Sequence, residues 1–478
     1  MDDSLMQTSL RPSNGCLSFS FTVFVYSEYK VTRLTSEWKF LIRIINTGCS
    51  LLSLSLQYLS STDKYQPNSS AMAPQIEDNP ISSQFYTLCK AATSESRFGS
   101  LSILPNDEPF ALHGEYLSDP HPNKVNLGIG VYRTEDGGPW PLNVVEEAEA
   151  QLHRERDEGR HEYLSIQGDL GFLPLARDLA FSLQEHELGL QRGDKDRIVS
   201  IQTVSGTGAN RLGAEFLARS LKPPTVWIPE PTWGNHHAIW ELAQVQIKTY
   251  PYYDFEGKCF NYGETAQLLA NEAKGGDVVI FHACAHNPTG ADPSKEQWMQ
   301  LANLCQTRGL FPFFDLAYQG FASGSLEEDA WAIRHFLQSC PQLEFCVAQS
   351  FSKNFGLYGQ RTGVLHVVTT SDTGKVPQAV LANLNLLARS EYGMAPRGGS
   401  DIVKTVLGSK ELREKWHGDL KHMSGRIIAM RQALYDELVR LGTPGTWEHI
   451  LSLVSLDDTM ILFPTLTVFR LACLRTRD

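Results

Sequence analysis

Ser350-Phe351-Ser352-Lys353-Asn354-Phe355-Gly356-Leu357-Tyr358-Gly359-Gln360-Arg361 follows on the apolar run Phe345–Ala348. The run reads as a buried strand, and the glycine-bearing stretch after it as the loop at its carboxyl end. A lysine there, among small polar and aromatic side chains, has the chemistry to form an imine with a carbonyl. Arg361 offers a planar fork to a phosphate. Ser350, three residues before the lysine, offers a hydroxyl to the same anion. Taken alone, such a lysine is most simply a solvated surface residue, so the other strand ends decide.

Working outward, Val204-Ser205-Gly206-Thr207-Gly208-Ala209-Asn210 lies between a strand-like IQTV and a helical RLGAEFLARSL. Its glycines let backbone N–H groups face an anion at a helix start, and Ser205 and Thr207 add hydroxyls. It matches neither G-x-x-x-x-G-K-[ST] nor G-x-G-x-x-G, and in isolation a structural turn explains it as well. Phe313-Phe314-Asp315-Leu316-Ala317-Tyr318 ends a strand with a carboxylate that is costly to bury unless a cation meets it. A protonated pyridine nitrogen would serve, with Tyr318 bonding an oxygen on the same ring; the competing role is an N-cap of the next helix. In Phe281–Gly290, Asn287 precedes a proline and can offer its amide to a ring oxygen. His282 and His286 have the spacing of metal ligands, but Pro288 and Gly290 indicate a loop and no acidic ligand adjoins them. Trp233, in Pro231–His237, either stacks on a planar ring or packs as ordinary core.

Short apolar runs at Lys124–Ile129, Thr225–Ile228, Val278–His282, Leu310–Asp315 and Phe345–Ser350 alternate with helix-like segments at Gly171–His186, Asn210–Ser220 and Lys295–Arg308. This alternation predicts an α/β fold whose mostly parallel sheet lies between helices. Leu412, Trp416, Leu420, Met423, Ile427, Leu434 and Leu438 recur at helical spacing, and Gly442 with Pro444 ends that long amphipathic helix. In such folds ligands collect beyond the carboxyl ends of the strands. The groups gathered there match pyridoxal 5′-phosphate: an aldehyde for Lys353, a phosphate for Ser205, Thr207, Ser350 and Arg361, a ring nitrogen for Asp315, and a phenolic oxygen for Asn287 and Tyr318.

Composition sets the outer bounds. The 478 residues include 42 Lys+Arg and 54 Asp+Glu, a formal charge of −12, which argues against a nucleic-acid surface. Nine dispersed cysteines, without a C-x-x-C pair, suit a reducing compartment. Residues 1–71 differ from the rest, with six basic and five acidic side chains. Cys16–Tyr26 is apolar and β-prone but too short to cross a bilayer, and Met1-Asp2-Asp3 is acidic where a targeting peptide is basic. This stretch is expected to be an extension outside the folded enzyme, disordered or misassigned, with Met72-Ala73-Pro74 as a translation start. No membrane span, no targeting peptide and a cytoplasmic location are therefore expected.

From about Arg97 to Ile450 the chain resembles the aspartate aminotransferases, class I pyridoxal-phosphate enzymes of fold type I. The segments that carry the resemblance are VNLGIGVYR (Val125–Arg133), EYLSIQG (Glu162–Gly168), SGTGA (Ser205–Ala209), PTWGNHHAIW (Pro231–Trp240), HACAHNPTG (His282–Gly290), FFDLAYQGFASG (Phe313–Gly324), QSFSKNFGLYGQR (Gln349–Arg361) and GTPGTWEHI (Gly442–Ile450). The resemblance implies an N-terminal arm and part of a small domain over 72–140, and a large cofactor domain over 141–408. A connecting helix with the start of the smaller α/β domain follows over 409–450, then a divergent tail over 451–478.

It also implies roles. Lys353 would hold the cofactor as an imine and move the substrate α-proton. Asp315 would keep the ring nitrogen protonated, Tyr318 and Asn287 would hold the ring oxygen, and Trp233 would stack on the ring. Ser205, Gly206, Thr207, Ser350 and Arg361 would bind the phosphate. Tyr163 resembles a tyrosine that reaches the neighbouring subunit's phosphate, which implies a homodimer. Gly130 lies in the substrate loop, and Arg389 aligns with the arginine that reads the substrate's side-chain carboxylate. Trp233 and Asn287 would also meet substrate. The implied reaction is ping-pong amino transfer between L-aspartate and 2-oxoglutarate, giving oxaloacetate and L-glutamate. Two departures stand out. RSEYGMAP (Arg389–Pro396) differs from the usual RPMYSNPP-like string, and after Ile450 the family's G-R-[IV] segment, whose arginine binds the α-carboxylate, is replaced by an unrelated tail. The alternative expectation is thus a cofactor-binding but catalytically impaired paralogue or splice variant.

Overall fold

The computed structural model describes residues 19–27, 30–36, 96–104, 108–121, 124, 130–135, 137–155, 161–183, 194–370, 374–452 and 469–476. The chain divides into two compact units, Met1–Gly128 with Leu471–Asp478, and Ile129–Arg470. In the first, strands β1 (Phe19–Ser27) and β2 (Lys30–Ser36) pair antiparallel, and a third strand, Phe469–Thr476, adds to β1. The β-prone run at Cys16–Tyr26 overlaps β1 from Phe19 to Tyr26, and its first three residues lie outside the described residues. Helix Glu108–Ser118 ends under Lys124, whose Nζ donates to the carbonyls of Tyr116 at 2.6 Å and Asp119 at 2.7 Å. A cation at that end satisfies carbonyls that lack intrahelical partners.

The second unit is built on a seven-stranded sheet. Its strands are β3 (Ile198–Val204), β4 (Thr225–Glu230), β5 (Gln246–Pro251), β8 (Val278–His282), β9 (Phe311–Leu316), β10 (Phe345–Ser350) and β11 (Thr362–Val368). A small hairpin, β6 (Tyr253–Asp254) and β7 (Cys259–Phe260), lies between β5 and β8 in the chain. The sheet order is β3-β11-β10-β9-β8-β4-β5, with β11 antiparallel to both neighbours and the remaining pairs parallel. The central strands are buried on both faces, which is why they read as apolar runs rather than alternations.

Alternate residues feed two cores. Val279, Phe281, Phe314 and Val347 enter one, and Val278, Ile280, Phe313 and Ala348 the other. Helix Ser205–Ser220 packs on the second face, where Gly213 permits close approach: a Cβ there would lie 2.6 Å from the Phe313 ring. Helix Asn235–Leu242 buries His236, Ile239 and Trp240 on the same side, at three- and four-residue spacing.

The expected strands at Val278–His282 and Phe345–Ser350 match residue for residue. Thr225–Ile228 extends to Glu230, and Leu310–Asp315 shifts by one residue at each end. Most of Lys124–Ile129 lies outside the described residues. Helix Lys295–Arg308 is as expected, opened by a Ser294/Gln297 capping box and closed by Gly309 at φ +64°. Two expectations are corrected. Of the segment over Gly171–His186, the described residues run to Leu183, and among them the helix covers Phe172–Ala180 and ends as the chain turns at Ser182 (φ +52°). The segment over Asn210–Ser220 begins at Ser205, because tertiary hydrogen bonds anchor the glycine-rich stretch as the first helical turn.

The long helix spans Lys410–Arg440 and buries Leu412, Trp416, Leu420, Met423 and Leu438. Ser409 caps its start, and Gly442 follows its end at φ +61°. It buttresses the lysine loop: Trp416 stacks on Phe355 at 4.4 Å, and its Nε1–H donates to the Asn354 carbonyl at 2.7 Å. No described helix is long and apolar enough to cross a membrane.

Candidate active site

One rim of the sheet collects the chemistry. The chain leaves β3 at Ser205, β4 at Pro231, β8 at Ala283, β9 at Ala317 and β10 at Phe351, all on the carboxyl side. Arg361 joins them because β11 runs the other way. Its first residue, Thr362, pairs with Val204, and Gly363 pairs with Ser350. Antiparallel β11 therefore delivers an arginine from a strand's amino end to the rim where the others finish.

Lys353 projects from the loop after β10, anchored by the fully buried Phe351 and Phe355. Its Nζ lies 4.9 Å from the centre of the Tyr318 ring. Asp315 sits within β9 rather than at a helix start, which rules out the N-cap role. In register it lies between His282 of β8 and Ala348 of β10.

A chain of hydrogen bonds ends on Asp315. The Asn287 backbone N–H donates to His282 Nδ1 at 3.2 Å. Nδ1 is therefore an acceptor, so a neutral His282 carries its proton on Nε2, which faces Thr232 Oγ1 at 3.1 Å. The Thr232 hydroxyl is then free to donate to His236 Nδ1 at 2.9 Å. That leaves the His236 proton on Nε2, which donates to Asp315 Oδ2 at 3.1 Å. Burial, then the neighbouring His286 and His236, hold the His282 pKa well below the ordinary imidazole range, in keeping with the neutral ring. Burial alone would raise the Asp315 pKa, but the His236 hydrogen bond, the N–H dipoles of the neighbouring imidazoles and the Lys353 ammonium outweigh it and hold the carboxyl below its usual value. Asp315 is thus a buried carboxylate with Oδ2 engaged, ready to take a cationic N–H on its other oxygen.

The anion-binding end is built by backbone geometry. Ser205 and Arg361 adopt φ of +65° and +55°, and the Ser205 N–H donates to the Arg361 carbonyl at 2.9 Å. Helix Ser205–Ser220 has no side-chain cap, which leaves the N–H groups that follow Ser205 in its first turn for a ligand. Ser205 Oγ meets Ser352 Oγ at 3.0 Å, and Ser350 Oγ accepts the Ser352 N–H at 3.2 Å. Gly206 makes room: a Cβ there would lie 2.8 Å from Ser350 Cβ. The Arg361 guanidinium donates to the Tyr358 carbonyl at 2.9 Å, and its partial burial lowers its pKa. Thr207 stands half-buried in the same helical turn.

Asn287 Nδ2 donates to the Tyr318 hydroxyl at 3.4 Å, so these two side chains converge. Trp233 is half-buried and meets His236 edge-on at 5.2 Å. Tyr163, Gly130 and Arg389 are not drawn into the Lys353 cluster. Tyr163 is 87% exposed, Gly130 is half-buried, and Arg389 lies exposed in the last turn of helix Lys375–Glu391. The segments around Tyr163 and Arg389 do adjoin each other, since the Leu164 N–H donates to Met394 Sδ at 3.0 Å.

Thr232, His236, His282 and Ser352 received no role from the sequence. The available signal was His236 at three- and four-residue spacing from Ile239 and Trp240, a polar side chain on a buried helix face.

Residues 122–466 match the aminotransferase class I and II family, which carries the match past Ile450, where the recognisable motifs end. The chain is 50% identical over 370 residues to the L-tyrosine:2-oxoglutarate aminotransferase of Aspergillus ustus, covering 77% of this chain and 71% of that one. The aspartate aminotransferase from Saccharomyces cerevisiae cytoplasm superposes with a TM-score of 0.72 at 36% identity, over 79% of this chain and 93% of that chain. An aromatic-amino-acid aminotransferase from Burkholderia pseudomallei, covalently bound to pyridoxal phosphate, superposes with a TM-score of 0.70 at 35% identity, over 75% and 87% of the two chains. With its lysine, buried carboxylate and anion-binding helix start on one sheet rim, the chain belongs to the class I and II aminotransferases: it is a pyridoxal-phosphate-dependent transaminase of fold type I.

Proposed function

We propose that the chain transfers the amino group of L-aspartate to 2-oxoglutarate, yielding oxaloacetate and L-glutamate by a ping-pong cycle. The observation that carries this reading is the placement of Lys353 Nζ over the Tyr318 ring, in electrostatic reach of the buried Asp315. The residues fit the cofactor: Asp315 Oδ2 is held by His236 with the other oxygen free for a ring N–H, and Gly206 lets Ser350 pack closely against the uncapped helix start that would take an anion. When bound, pyridoxal phosphate supplies an electron sink for the charge left by a departing α-proton.

The chain's own residues do the rest. Lys353 carries the cofactor, and its Nζ takes the α-proton and returns it. Asp315 stays ionised, so it favours a protonated ring nitrogen beside it. Tyr318 and Asn287 orient the ring oxygen, and Trp233 covers the ring face. Ser205, Gly206, Thr207, Ser350 and Arg361 hold the phosphate. Tyr163 extends to the site of a second copy in a homodimer, which accounts for so large an exposed aromatic. Gly130 allows the substrate loop to pass over the site, and Arg389 reads a side-chain carboxylate. A cytoplasmic location belongs to the same proposal. A second reading, L-tyrosine as the amino donor, rests on the half-identical Aspergillus relative.

The test is to load the purified chain with pyridoxal 5′-phosphate, reduce with borohydride, and map the modified peptide. Turnover of aspartate, tyrosine and phenylalanine with 2-oxoglutarate is measured alongside. Fixation on Lys353 with aspartate preferred is the expected result. Preference for tyrosine selects the second reading, and fixation without turnover marks an impaired enzyme. Absence of label on Lys353 overturns the proposal.

A further inference from the structure

We propose that Asp292 and Asp329 are paired positioning residues, each fixing one of the two loops that bring Asn287 and Tyr318 together. The inference rests on the reading that these two side chains hold the cofactor's ring oxygen.

Asp292 lies at the surface, yet both its oxygens are engaged inward. Oδ2 accepts the Ala285 N–H at 2.6 Å and Oδ1 the His286 N–H at 3.0 Å, the two residues just before Asn287. Ala285 stands at φ +47°, a left-handed conformation that costs a non-glycine residue about 1–2 kcal/mol. Something must hold it, and the carboxylate is the group in contact.

Asp329 does the same for the loop after Tyr318. It is 4% exposed. Its Oδ2 accepts the N–H groups of Gly320 at 2.7 Å and Ala322 at 3.0 Å. Its Oδ1 accepts the Ser323 N–H at 3.0 Å and the Ser323 hydroxyl at 2.7 Å. Four donors from one short loop converge on one carboxylate, and no ion pair involves it among the described residues. Burial raises its pKa to about 6, against the hydrogen bonds that lower it. A carboxylate kept in the interior without a cation costs stability when it ionises. Its evident effect is to dictate the path of the chain from Tyr318 to helix Leu326–Asp329.

The two loops meet at the Asn287 Nδ2–Tyr318 hydroxyl contact. At 3.4 Å this bond is near its geometric limit. A displacement of a few tenths of an ångström in either loop would break it, so the clamps act where tolerance is least.

The test compares Asp292→Asn and Asp329→Asn with Asn287→Ala, in enzyme loaded with pyridoxal 5′-phosphate. The readouts are the pH midpoint of the bound cofactor's visible absorbance and the thermal unfolding temperature. An amide opposes one backbone N–H with its own NH₂, so each variant loses part of its clamp. Each is expected to move the midpoint by at least about 0.5 pH unit, and to move it no further in an Asn287→Ala background. A lowered unfolding temperature with an unmoved midpoint, or an equal shift in the Asn287→Ala background, overturns the inference. If Asn287→Ala itself leaves the midpoint in place, the ring-oxygen reading fails instead, and the inference falls with it. Should an Asn variant fail to fold, Ala285→Gly/Asp292→Asn and Ser323→Ala replace them: glycine adopts φ +47° unaided, and Ser323→Ala removes a single donor from Asp329. Ser323→Ala is then expected to shift the midpoint in the same direction by less, and no shift counts against the proposal.

Discussion

The backbone N–H of Ser205 bonds the carbonyl of Arg361 at 2.9 Å, and both residues stand at positive φ. Two left-handed non-glycine residues joined in this way are backbone strain held at a site. Gly363 makes the arrangement possible: a Cβ there would lie 2.4 Å from the Ser205 carbonyl carbon and 2.8 Å from the Gln349 oxygen. Both are backbone atoms and cannot swing aside. Gly363→Ala is therefore expected to cost about 1–3 kcal/mol of stability and to weaken pyridoxal-phosphate affinity at least about tenfold. Gly359→Ala, with nothing within 4 Å of its Cβ, is the neutral control. Cofactor titration by protein fluorescence checks both. Equal affinity in the two variants would remove the Ser205–Arg361 arrangement from the binding site.

Thr232 is the one hydroxyl between His236 and His282. Thr232→Val keeps the shape and leaves both ring nitrogens facing a methyl group. An unsatisfied buried polar group costs about 1–3 kcal/mol. The larger effect is on Asp315, because His236 would be free to move its proton to Nδ1 and lose the Nε2–H bond to the carboxylate. The variant is expected to lose about tenfold in kcat with little change in KM, and its pH–rate profile should shift. An unaltered profile would mean that Asp315 does not depend on the chain behind it.

The apolar strands were legible because burial on both faces leaves unbroken hydrophobic runs, as at Val278–His282. The long helix was legible from the spacing of Leu412, Trp416, Leu420 and Met423. The start of helix Ser205–Ser220 was hidden because its glycines signal a turn, and the bond that anchors its first residue runs to Arg361, far along the chain. The reversed β11 was equally hidden: a single antiparallel strand leaves no mark in an apolar run, yet it brings Arg361 to the rim. The relay behind Asp315 depends on register. Phe313 and Asp315 share a strand face, and Trp240 and His236 share the helix face that meets it. Trp240 touches Phe313 at 6.0 Å, and His236 bonds Asp315. Such a pairing between segments some eighty residues apart leaves no local pattern to find.

Arg389 tests substrate choice. It lies exposed at the end of helix Lys375–Glu391, so its removal should disturb the fold little. A charge-assisted contact to a carboxylate contributes about 1.5–3 kcal/mol. Arg389→Leu is accordingly expected to lower kcat/KM for aspartate about 10- to 100-fold, with tyrosine changed only a few-fold. Steady-state kinetics with both donors decides it. Equal losses for the two would show that Arg389 does not read the side-chain carboxylate.

His366 sets a pH dependence apart from the site. It is fully buried, with Ser200 Oγ at 2.8 Å from Nδ1 and Gln349 Oε1 at 3.1 Å from Nε2. Burial, then the charge of Arg177, pushes its pKa from 6.5 down to about 3. The unfolded chain therefore binds this proton near pH 6.5, and the folded chain does so only near pH 3. The stability owed to the neutral ring is full above pH 6.5 and is lost as pH falls through the window between the two values. One unit of pH within it is worth about 1.4 kcal/mol, so roughly 2 kcal/mol should disappear between about pH 6.5 and 5. Asp329 acts in the opposite sense. Its pKa is raised from 3.8 to about 6, so its ionisation weakens the fold as pH rises across that interval. Comparing the chain with His366→Gln cancels the Asp329 effect. At pH 7 the variant should be the less stable by denaturant unfolding, because it loses one of two buried hydrogen bonds. The gap should narrow steadily toward pH 5, and a gap independent of pH would show that His366 takes up its proton over the same pH range in the folded and unfolded chains.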